Sequence, residues 1–385
     1  MYELPDAGCY AAPAPTVQTL AIRFTGSGSE YFRIWIVNLL LTLLTLGLYL
    51  PFAKVRRLRY FYANTSVGGQ ALSFHGRPWP MFRGFVLLLL LAGAYGLAGR
   101  FSPLAGFLAY LLLCALWPAL WRSGLQFRLG NTRWRGLRLS FQGDLAGAYK
   151  AVASLYIPAM MLMAGTAWQA WKDPMARTGA GVIVGMVGLV GMVLLSPCFL
   201  ACIKRYQHVG YGYADQRGQF LAGTGKFYGL VLKGLMASLL FLALAVGIGA
   251  GLTMLQKPGV TVTPAIGVGI GMFGYLLYFM MVGPWITARL QNLVWSGTRS
   301  EQLEFHSTLS FRRLLWLTMV NWLLTALTLS LYRPFAAIRT ARLRLEAVSL
   351  TVHGDIEAWQ VRPQQEATDA TGEAAGDFFG FDMGW

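Results

Sequence analysis

Long apolar runs constrain the fold of this chain more than any other feature of its sequence. Each run approaches or exceeds the ~20 residues that an α-helix needs to cross the hydrocarbon core of a bilayer. The runs comprise residues 85–98, 104–121, 151–171, 179–203, 228–254 and 262–286. Only 12% of all residues are charged, against about 25% in soluble domains. The sequence therefore predicts an integral membrane protein with about six transmembrane helices.

Basic residues border these runs asymmetrically. If the six helices pair as hairpins, three connections share one side of the membrane. Of the 32 Lys and Arg residues, only Arg100, Lys172, Arg177 and Lys257 fall in those connections. Connections rich in Lys and Arg stay in the cytoplasm. We therefore expect most of the extramembrane mass to be cytoplasmic and to attract anionic lipid headgroups, and we predict no nucleic-acid partner despite the net charge of +16.

The two ends of the chain are copies of each other, because residues 321–342 align without gaps on residues 38–59. The identities outside leucine are Asn38/Asn321, Thr42/Thr325, Thr45/Thr328, Tyr49/Tyr332, Pro51/Pro334, Phe52/Phe335, Ala53/Ala336, Arg56/Arg339 and Arg59/Arg342. A related pattern of proline, basic residues and a strand-like residue recurs between the ends. Its members are Pro51 to Phe74, Pro118 to Phe141, Pro197 to Phe220, and the shorter Pro284 to Phe305 and Pro334 to Val352. Such repetition fits transport proteins and a purely architectural role alike.

Each repeated unit predicts a short β segment such as residues 71–74, a turn at Gly76 or Gly143, and one helix or a helix pair that ends at the proline. Backbone groups cannot stay unpaired in lipid, so we expect the β segments to pair with one another. The predicted fold is an all-α polytopic membrane protein with a small cytoplasmic β cap and internal pseudo-repeats.

The terminal apolar runs, residues 34–50 and 314–331, are flanked by bases on both sides. We predict two re-entrant helical hairpins with about ten residues per arm, which reach only about 15 Å. Single crossings are the alternative. The predicted units are a flexible N-terminus (1–20), a first repeat (21–80), three helix-pair repeats (81–304), a last repeat (305–361) and an acidic C-terminal tail (362–385).

An uncharged polar stripe in the terminal runs supplies the candidate binding site. The helical spacing of four and seven residues places these side chains on one face, and the two copies are expected to face each other across a central path. Two arginines are expected at its cytoplasmic mouth. The site comprises Asn38, Thr42, Thr45, Arg56, Asn321, Thr325, Thr328 and Arg339. The alternative is that the Asn and Thr side chains only bond neighbouring helices.

Residue patterns that carry enzyme chemistry are missing from the sequence. The six apolar cores contain no carboxylate, and the chain has no nucleotide-binding phosphate loop, no HExxH pair and no CxxC pair. We therefore predict no enzyme activity and no cofactor. His75, His306 and His353 each follow the last residue of a repeated strand motif and form a weak candidate metal or pH-sensing site. The alternative is that they stand exposed at hairpin corners.

The segment TLGLYLPFAKVR, residues 45–56, together with Tyr60 and Asn64-Thr65, resembles the YjgN family of bacterial inner-membrane proteins. The resemblance covers nearly the whole chain, although Phe52 and Phe335 replace a Trp that is common in this motif. It implies the bacterial inner membrane and the family's fold. It implies no reaction and no catalytic residues, because the family is a domain of unknown function.

Two functions fit the sequence. The first is a channel, a transporter or a lipid-handling protein, as the repeats and the polar stripes suggest. The second is a non-transporting scaffold that recruits a protein partner through its cytoplasmic cap and acidic tail. The tail carries acidic residues and no base before it ends in an aromatic cluster, and it is either a docking peptide or a solvated end that folds back onto the basic cap.

Overall fold

A computed structural model describes residues 17–172, 179–254 and 264–354, in which long helices alternate with short strands. The helices are α1 (Gly28–Leu44), α2 (Leu50–Ala63), α3 (Pro78–Phe101), α4 (Pro103–Gly130), α5 (Leu145–Lys172), α6 (Ala180–Gly210), α7 (Thr224–Met254), α8 (Pro264–Trp295), α9 (Phe311–Leu327) and α10 (Arg333–Glu346). The strands are β1 (Val17–Phe24), β2 (Thr65–Val67), β3 (Gln70–Ala71), β4 (Ser73–Phe74), β5 (Thr132–Trp134), β6 (Leu137–Phe141), β7 (Tyr211–Tyr213), β8 (Gln216–Arg217), β9 (Gln219–Phe220), β10 (Thr298–Arg299), β11 (Leu303–Ser307) and β12 (Val348–His353).

The strands form a closed ring, which we call the β-ring. One sheet has the order β3-β2-β1-β12-β11-β10-β9 and the other has the order β4-β5-β6-β7-β8. Only Leu72 separates β3 from β4, and only Gly218 separates β8 from β9. Both residues keep the ladder intact, because their backbone N–H groups donate to Thr65 O and Tyr211 O at 2.8 Å. In the described part of the chain, each continuous strand of the ring therefore has a hydrogen-bonded neighbour on both sides.

The first and last strands of the chain close this ring. β1 pairs antiparallel with β12 from Val17↔His353 to Ala21↔Ser349, and its other edge pairs with β2. β1 begins at Val17, so the last four residues of the expected flexible N-terminus (1–20) belong to the ring. Residues 1–16 lie outside the described residues.

Apolar side chains fill the interior of the β-ring. Val67, Trp134, Tyr213, Leu303 and Leu350, from five different strands, belong to one buried cluster. Trp134 Nε1 donates to Val67 O at 3.3 Å, and the Tyr213 hydroxyl donates to Trp134 O at 3.2 Å. These two hydrogen bonds link strands β2, β5 and β7 through side chains inside the β-ring.

Helices leave the β-ring in antiparallel pairs: α1/α2, α3/α4, α5/α6, α7/α8 and α9/α10. Each helix that returns to the ring contains one of the repeated prolines, and the same number of residues separates every proline from the next strand. The pairs of proline and first strand residue are Pro51/Thr65, Pro118/Thr132, Pro197/Tyr211, Pro284/Thr298 and Pro334/Val348. Length differences between the repeats thus fall in the β-hairpins, and the prolines lie about 21 Å from the ring at 1.5 Å per residue.

The helix pairs have two lengths. Helices α3 to α8 contain between 24 and 32 residues, which corresponds to about 36–48 Å. Five helices in the described chain are long and apolar enough to cross a membrane: α3, α4, α5, α6 and residues 224–244 of α7. The sixth expected run, residues 262–286, falls largely on α8, which starts next to undescribed residues. The terminal pairs are shorter, with 17 residues in α1 and α9 and 14 in α2 and α10.

The terminal hairpins differ from the prediction in where they turn. The expected arms of about ten residues within residues 34–50 and 314–331 are wrong, because each run forms one helix and the chain reverses at its end. Leu46 and Gly47 adopt φ values of 50° and 92°, and Leu329 repeats the reversal with φ 47°. Thr45 Oγ1 stabilises the turn by donating to Leu41 O at 2.7 Å and accepting from Tyr49 N at 3.0 Å. The return arm is the basic helix α2 or α10.

Helices α5 and α6 pack backbone against backbone through glycine. A Cβ atom on Gly165 would lie 2.5 Å from Gly181 O, and one on Gly188 would lie 2.5 Å from Leu162 N. Small residues allow this close approach between membrane helices. The contact ties this long helix pair together.

Ring closure predicts a specific crosslink between the chain ends. Thr19 and Thr351 are partners in the β1–β12 ladder, so cysteines at these positions, in a chain lacking its four native cysteines, should form a disulfide under mild oxidation. Mass spectrometry of tryptic peptides measures the linkage. The control pair, Thr19→Cys with His306→Cys, places the second thiol one strand further away on β11. Equal crosslinking of the two pairs would contradict the closed ring.

The glycine contact predicts a large difference between chemically identical substitutions. Gly165→Ala or Gly188→Ala inserts a methyl group against rigid backbone and should lower stability by about 1–3 kcal/mol. Gly96→Ala in α3 meets no atom within 4 Å and gains up to about 1 kcal/mol of helix propensity. Thermal unfolding in detergent compares the three. Similar melting temperatures for all variants would show that α5 and α6 do not touch at glycine.

Candidate functional site

Two adjoining cavities lie inside the helix bundle. The ring cavity, of about 920 Å³, lies under the β-ring and extends along α8, α9 and α10. The bundle cavity, of about 1280 Å³, extends among α1 to α6. Arg57, Tyr62, Thr65, Arg333 and Leu345 line both cavities. Side chains of α2 and α10 therefore form most of the boundary between them.

Both cavities have a positively charged lining. Lys54, Arg57, Arg128 and Arg333 line the bundle cavity, whereas Arg57, Arg299, Arg333 and Arg344 line the ring cavity. Several of these cations also contact other groups of the protein. Among the described lining residues there is no Asp or Glu. The described lining of the two cavities therefore carries positive charge without an acidic side chain.

The bundle cavity changes character along its length. Lys54, Arg57 and Arg128 lie between the β-ring and the level of the prolines, and Arg333 stands one residue beyond Pro334. Arg128 stands near the end of α4, whereas Leu113 on the same helix lies about 22 Å further from the ring at 1.5 Å per residue. The lining beyond the prolines is mainly apolar and includes Ala92, Leu113 and Met192. One cavity thus joins a cationic part to an apolar part.

Two tyrosines next to these arginines stay neutral. Burial raises the pKa of Tyr211, and the charge of Arg128 opposes this shift only in part. Burial likewise raises the pKa of Tyr31, with Arg57 as the opposing charge. These phenols therefore do not neutralise the positive lining at physiological pH.

A reciprocal pair of hydrogen bonds orients one arginine of the ring cavity. Arg344 Nε donates to Gln291 Oε1 at 2.8 Å, and Gln291 Nε2 donates to Arg344 O at 2.9 Å. Gln291 is buried. Arg344 is therefore anchored to α8 and held at the cavity wall.

The two predicted asparagines are buried and line different cavities. Asn38, 8% exposed, lines the bundle cavity, and Asn321, 6% exposed, lines the ring cavity. Their Nδ2 groups donate at 3.5 Å to equivalent carbonyls, Ala53 O and Ala336 O, on the return arms. Among the described residues neither Oδ1 has a hydrogen-bond partner.

The predicted threonines divide into two roles. Thr42 and Thr325 line the same cavities as Asn38 and Asn321, and Thr42 Oγ1 donates to Asn38 O at 2.7 Å within its own helix. Thr45 and Thr328 line neither cavity. They hold the hairpin turns, since Thr328 repeats both bonds of Thr45.

Arg56 and Arg339 do not stand at the mouth of a path, contrary to the prediction. The Arg56 guanidinium lies 5.7 Å from the Tyr49 ring centre, and Arg339 Nη1 donates to the Tyr332 hydroxyl at 2.8 Å. Neither arginine lines the ring cavity or the bundle cavity. Adjacent residues of an α-helix point about 100° apart. Arg57, the residue next to Arg56, therefore lines the cavities in its place.

The two polar stripes do not face each other. The main contacts of α1 are with α2 and α10, and those of α9 are with α8 and α10. α10 therefore separates the helices that were expected to meet.

The sequence analysis also missed Arg333 as a cavity-lining residue, although the sequence contains a signal for it. Arg333 breaks the repeat, because the first copy has Leu50 at the equivalent position.

The three candidate histidines do not form one cluster. His75 follows β4 in one sheet, while His306 and His353 lie on β11 and β12 of the other. Within residues 17–172, 179–254 and 264–354, no three His, Cys, Asp or Glu side chains are placed to hold a metal ion. The fourth histidine, His208, is buried with Nδ1 at 2.8 Å from Thr298 Oγ1. The acidic tail (362–385) lies outside the described residues.

Comparison with known proteins places this architecture in a family. "Inner membrane protein YjgN" of Salmonella typhimurium (strain LT2) is 26% identical over 337 residues, which cover 82% of this chain and 84% of the relative. Its namesake in Escherichia coli K12 is 32% identical over 173 residues, 44% of each chain. No solved structure matches this chain. Residues 19–378 match the family described as "Bacterial protein of unknown function (DUF898)", and this chain therefore belongs to that family and is a YjgN family protein.

Proposed function

We propose that this protein handles anionic lipids in the bacterial inner membrane, without catalysing a reaction. The observation that carries the proposal is the bundle cavity, which is cationic near the β-ring and apolar beyond the prolines. A lipid has the same division, since its phosphate is anionic and its chains are apolar. A small polar solute would make no favourable contact with the apolar part of the cavity. This division of the lining favours lipid handling over solute transport.

The size of the cavity supports a large ligand. Its volume of about 1280 Å³ exceeds the roughly 300–1,000 Å³ typical of small-molecule sites. Lining residues that are half exposed, such as Leu50 at 48% and Leu89 at 46%, connect the cavity with the surroundings of the helices. A lipid therefore has a lateral entrance.

The short terminal hairpins support entry from the bilayer. Their turns lie near the level of the prolines, whereas the long helix pairs extend about 20 Å further. Leu46 and Leu329 at the turns are 94% and 89% exposed, which suits contact with lipid chains. Above these turns the wall of long helices stays open, so acyl chains can enter over the short hairpins.

The charge distribution supports a cytoplasmic position for the β-ring. Arg100 lies at the end of α3 far from the ring, whereas the bases of α2 and those of α10 after Pro334 lie on the ring side of their prolines. The positive-inside rule then orients the ring towards the cytoplasm. The packed interior of the ring opposes a straight aqueous channel, so the cytoplasmic leaflet is the expected source of the lipid.

Lipid retention tests the role of the cationic part. Arg57→Gln with Arg333→Gln removes two exposed cations from the cavity, each worth about 1.5–3 kcal/mol if it bonds a phosphate, so retention of phosphatidylglycerol should fall at least tenfold. Arg56→Gln with Arg339→Gln is the matched control, because it removes the same charge from the same two helices outside the cavity. Native mass spectrometry after delipidation and titration measures both. Equal retention in the two variants would refute the site.

Movement of lipid separates handling from scaffolding. In vesicles containing the purified protein, we expect labelled phosphatidylglycerol to exchange between leaflets faster than in empty vesicles, and the Arg57→Gln/Arg333→Gln variant to lose the difference. Binding that persists without any exchange would favour the alternative, a scaffold whose β-ring and acidic tail recruit a protein partner.

A further inference from the structure

Two buried oxygen atoms repeat at the same position of the two terminal hairpins. Asn38 Oδ1 and Asn321 Oδ1 are both more than nine-tenths buried as residues, both belong to cavity-lining side chains, and neither has a partner among the described residues. A buried acceptor without a donor is unfavourable. Such atoms are therefore candidates for contact with a ligand.

The orientation of each amide follows from its other half. Nδ2 of Asn38 and of Asn321 donates to the carbonyl of Ala53 or Ala336 at 3.5 Å, and Asn321 Nδ2 also lies 3.2 Å from Thr340 Oγ1. Each amide thus holds its two hairpin arms together with its nitrogen. The oxygen of each amide is itself buried and has no donor among the described residues.

Each asparagine shares its cavity with cations. Asn38 lines the bundle cavity together with Lys54 and Arg57, and Asn321 lines the ring cavity together with Arg333. Both copies have the asparagine, but the cation stands at a different position in each copy. In the second copy Thr340 replaces Arg57, and Arg333 replaces Leu50. Both copies therefore combine one neutral acceptor with a positive charge.

We infer that Asn38 and Asn321 form two headgroup subsites for a phosphodiester that also carries a hydrogen-bond donor. The ligand class is a phospholipid with an ethanolamine ammonium or a glycerol hydroxyl group: the cations bind its phosphate, and Oδ1 accepts from the N–H or O–H. A choline headgroup has the same phosphate and no such donor. This inference rests on the proposed lipid function and specifies which headgroups the site selects.

The wild-type protein tests the inference without any substitution. In competition titrations by native mass spectrometry, phosphatidylethanolamine and phosphatidylglycerol should bind about tenfold more tightly than phosphatidylcholine with identical chains. Equal binding of the three lipids overturns the inference and leaves the proposed function standing. Binding of none of them defeats the proposed function itself.

Substitution assigns the selectivity to the asparagines. Asn38→Leu and Asn321→Leu should each reduce the preference for the donor-bearing lipids, and the double variant should abolish it while phosphatidylcholine still binds. Asn38→Asp keeps an acceptor and adds a charge, so it should favour the ammonium of phosphatidylethanolamine over phosphatidylglycerol. Melting temperatures of the same preparations identify a variant that is unfolded. A folded double variant with unchanged preference refutes the subsites.

A soluble competitor separates lipid from free phosphate ester. Phosphoethanolamine presents the same phosphate and ammonium without acyl chains. Weak displacement by phosphoethanolamine, at least tenfold less than by phosphatidylethanolamine, supports a lipid ligand whose chains occupy the apolar part. Equal displacement by both overturns the assignment to lipid.

Discussion

Antiparallel pairing of β1 with β12 is the contact on which the remaining architecture depends. Without it, the strands would form a curved sheet with two open edges, and both ends would present unpaired backbone groups. Pairing of the chain ends closes the β-ring and fixes the order of the helix pairs around it. As a result, the two short hairpins become neighbours, since α1 packs against α10. The cavities exist because the ring holds the helix pairs around a common centre.

Helix length then divides the molecule into two zones. Between the ring and the prolines, every returning helix has the same length, and this zone carries most of the cavity cations. Beyond the prolines only the long helices continue, and their exposed surface is apolar: Leu189, Val190, Val193 and Leu194 on α6 are examples. Charged side chains avoid hydrocarbon because desolvation is unfavourable. The prolines therefore mark the transition from the polar part of the bundle to the part that contacts lipid chains.

Each terminal hairpin combines a structural role with the proposed binding role in one helix. The Asn38 nitrogen and the Thr45 hydroxyl stabilise the hairpin, while the Asn38 oxygen is buried without a partner among the described residues. The sequence left open whether the polar stripe only bonds neighbouring helices or binds a ligand. In Asn38 the nitrogen bonds the neighbouring arm, and the proposed ligand contact falls to the oxygen. Local hydrogen bonds position the asparagine, and the positive lining around it provides the electrostatic reason for a phosphate ligand.

The sequence by itself determined the membrane class, the apolar helices and the relation between the two chain ends, because these depend on local composition and on repeated residues. It also identified Asn38 and Asn321 as matched buried positions, since a polar residue in an apolar helix is conspicuous. Tertiary structure alone decided the ring closure, because β1 and β12 are brought together from opposite ends of the chain and no local pattern specifies that pairing. It also decided that Arg57 and not Arg56 lines the cavities, since a rotation of about 100° between adjacent helical residues separates inside from outside. Finally, it placed α10 between α1 and α9, so the two equivalent stripes line two cavities, a consequence of packing order around the ring that the repeat could not reveal.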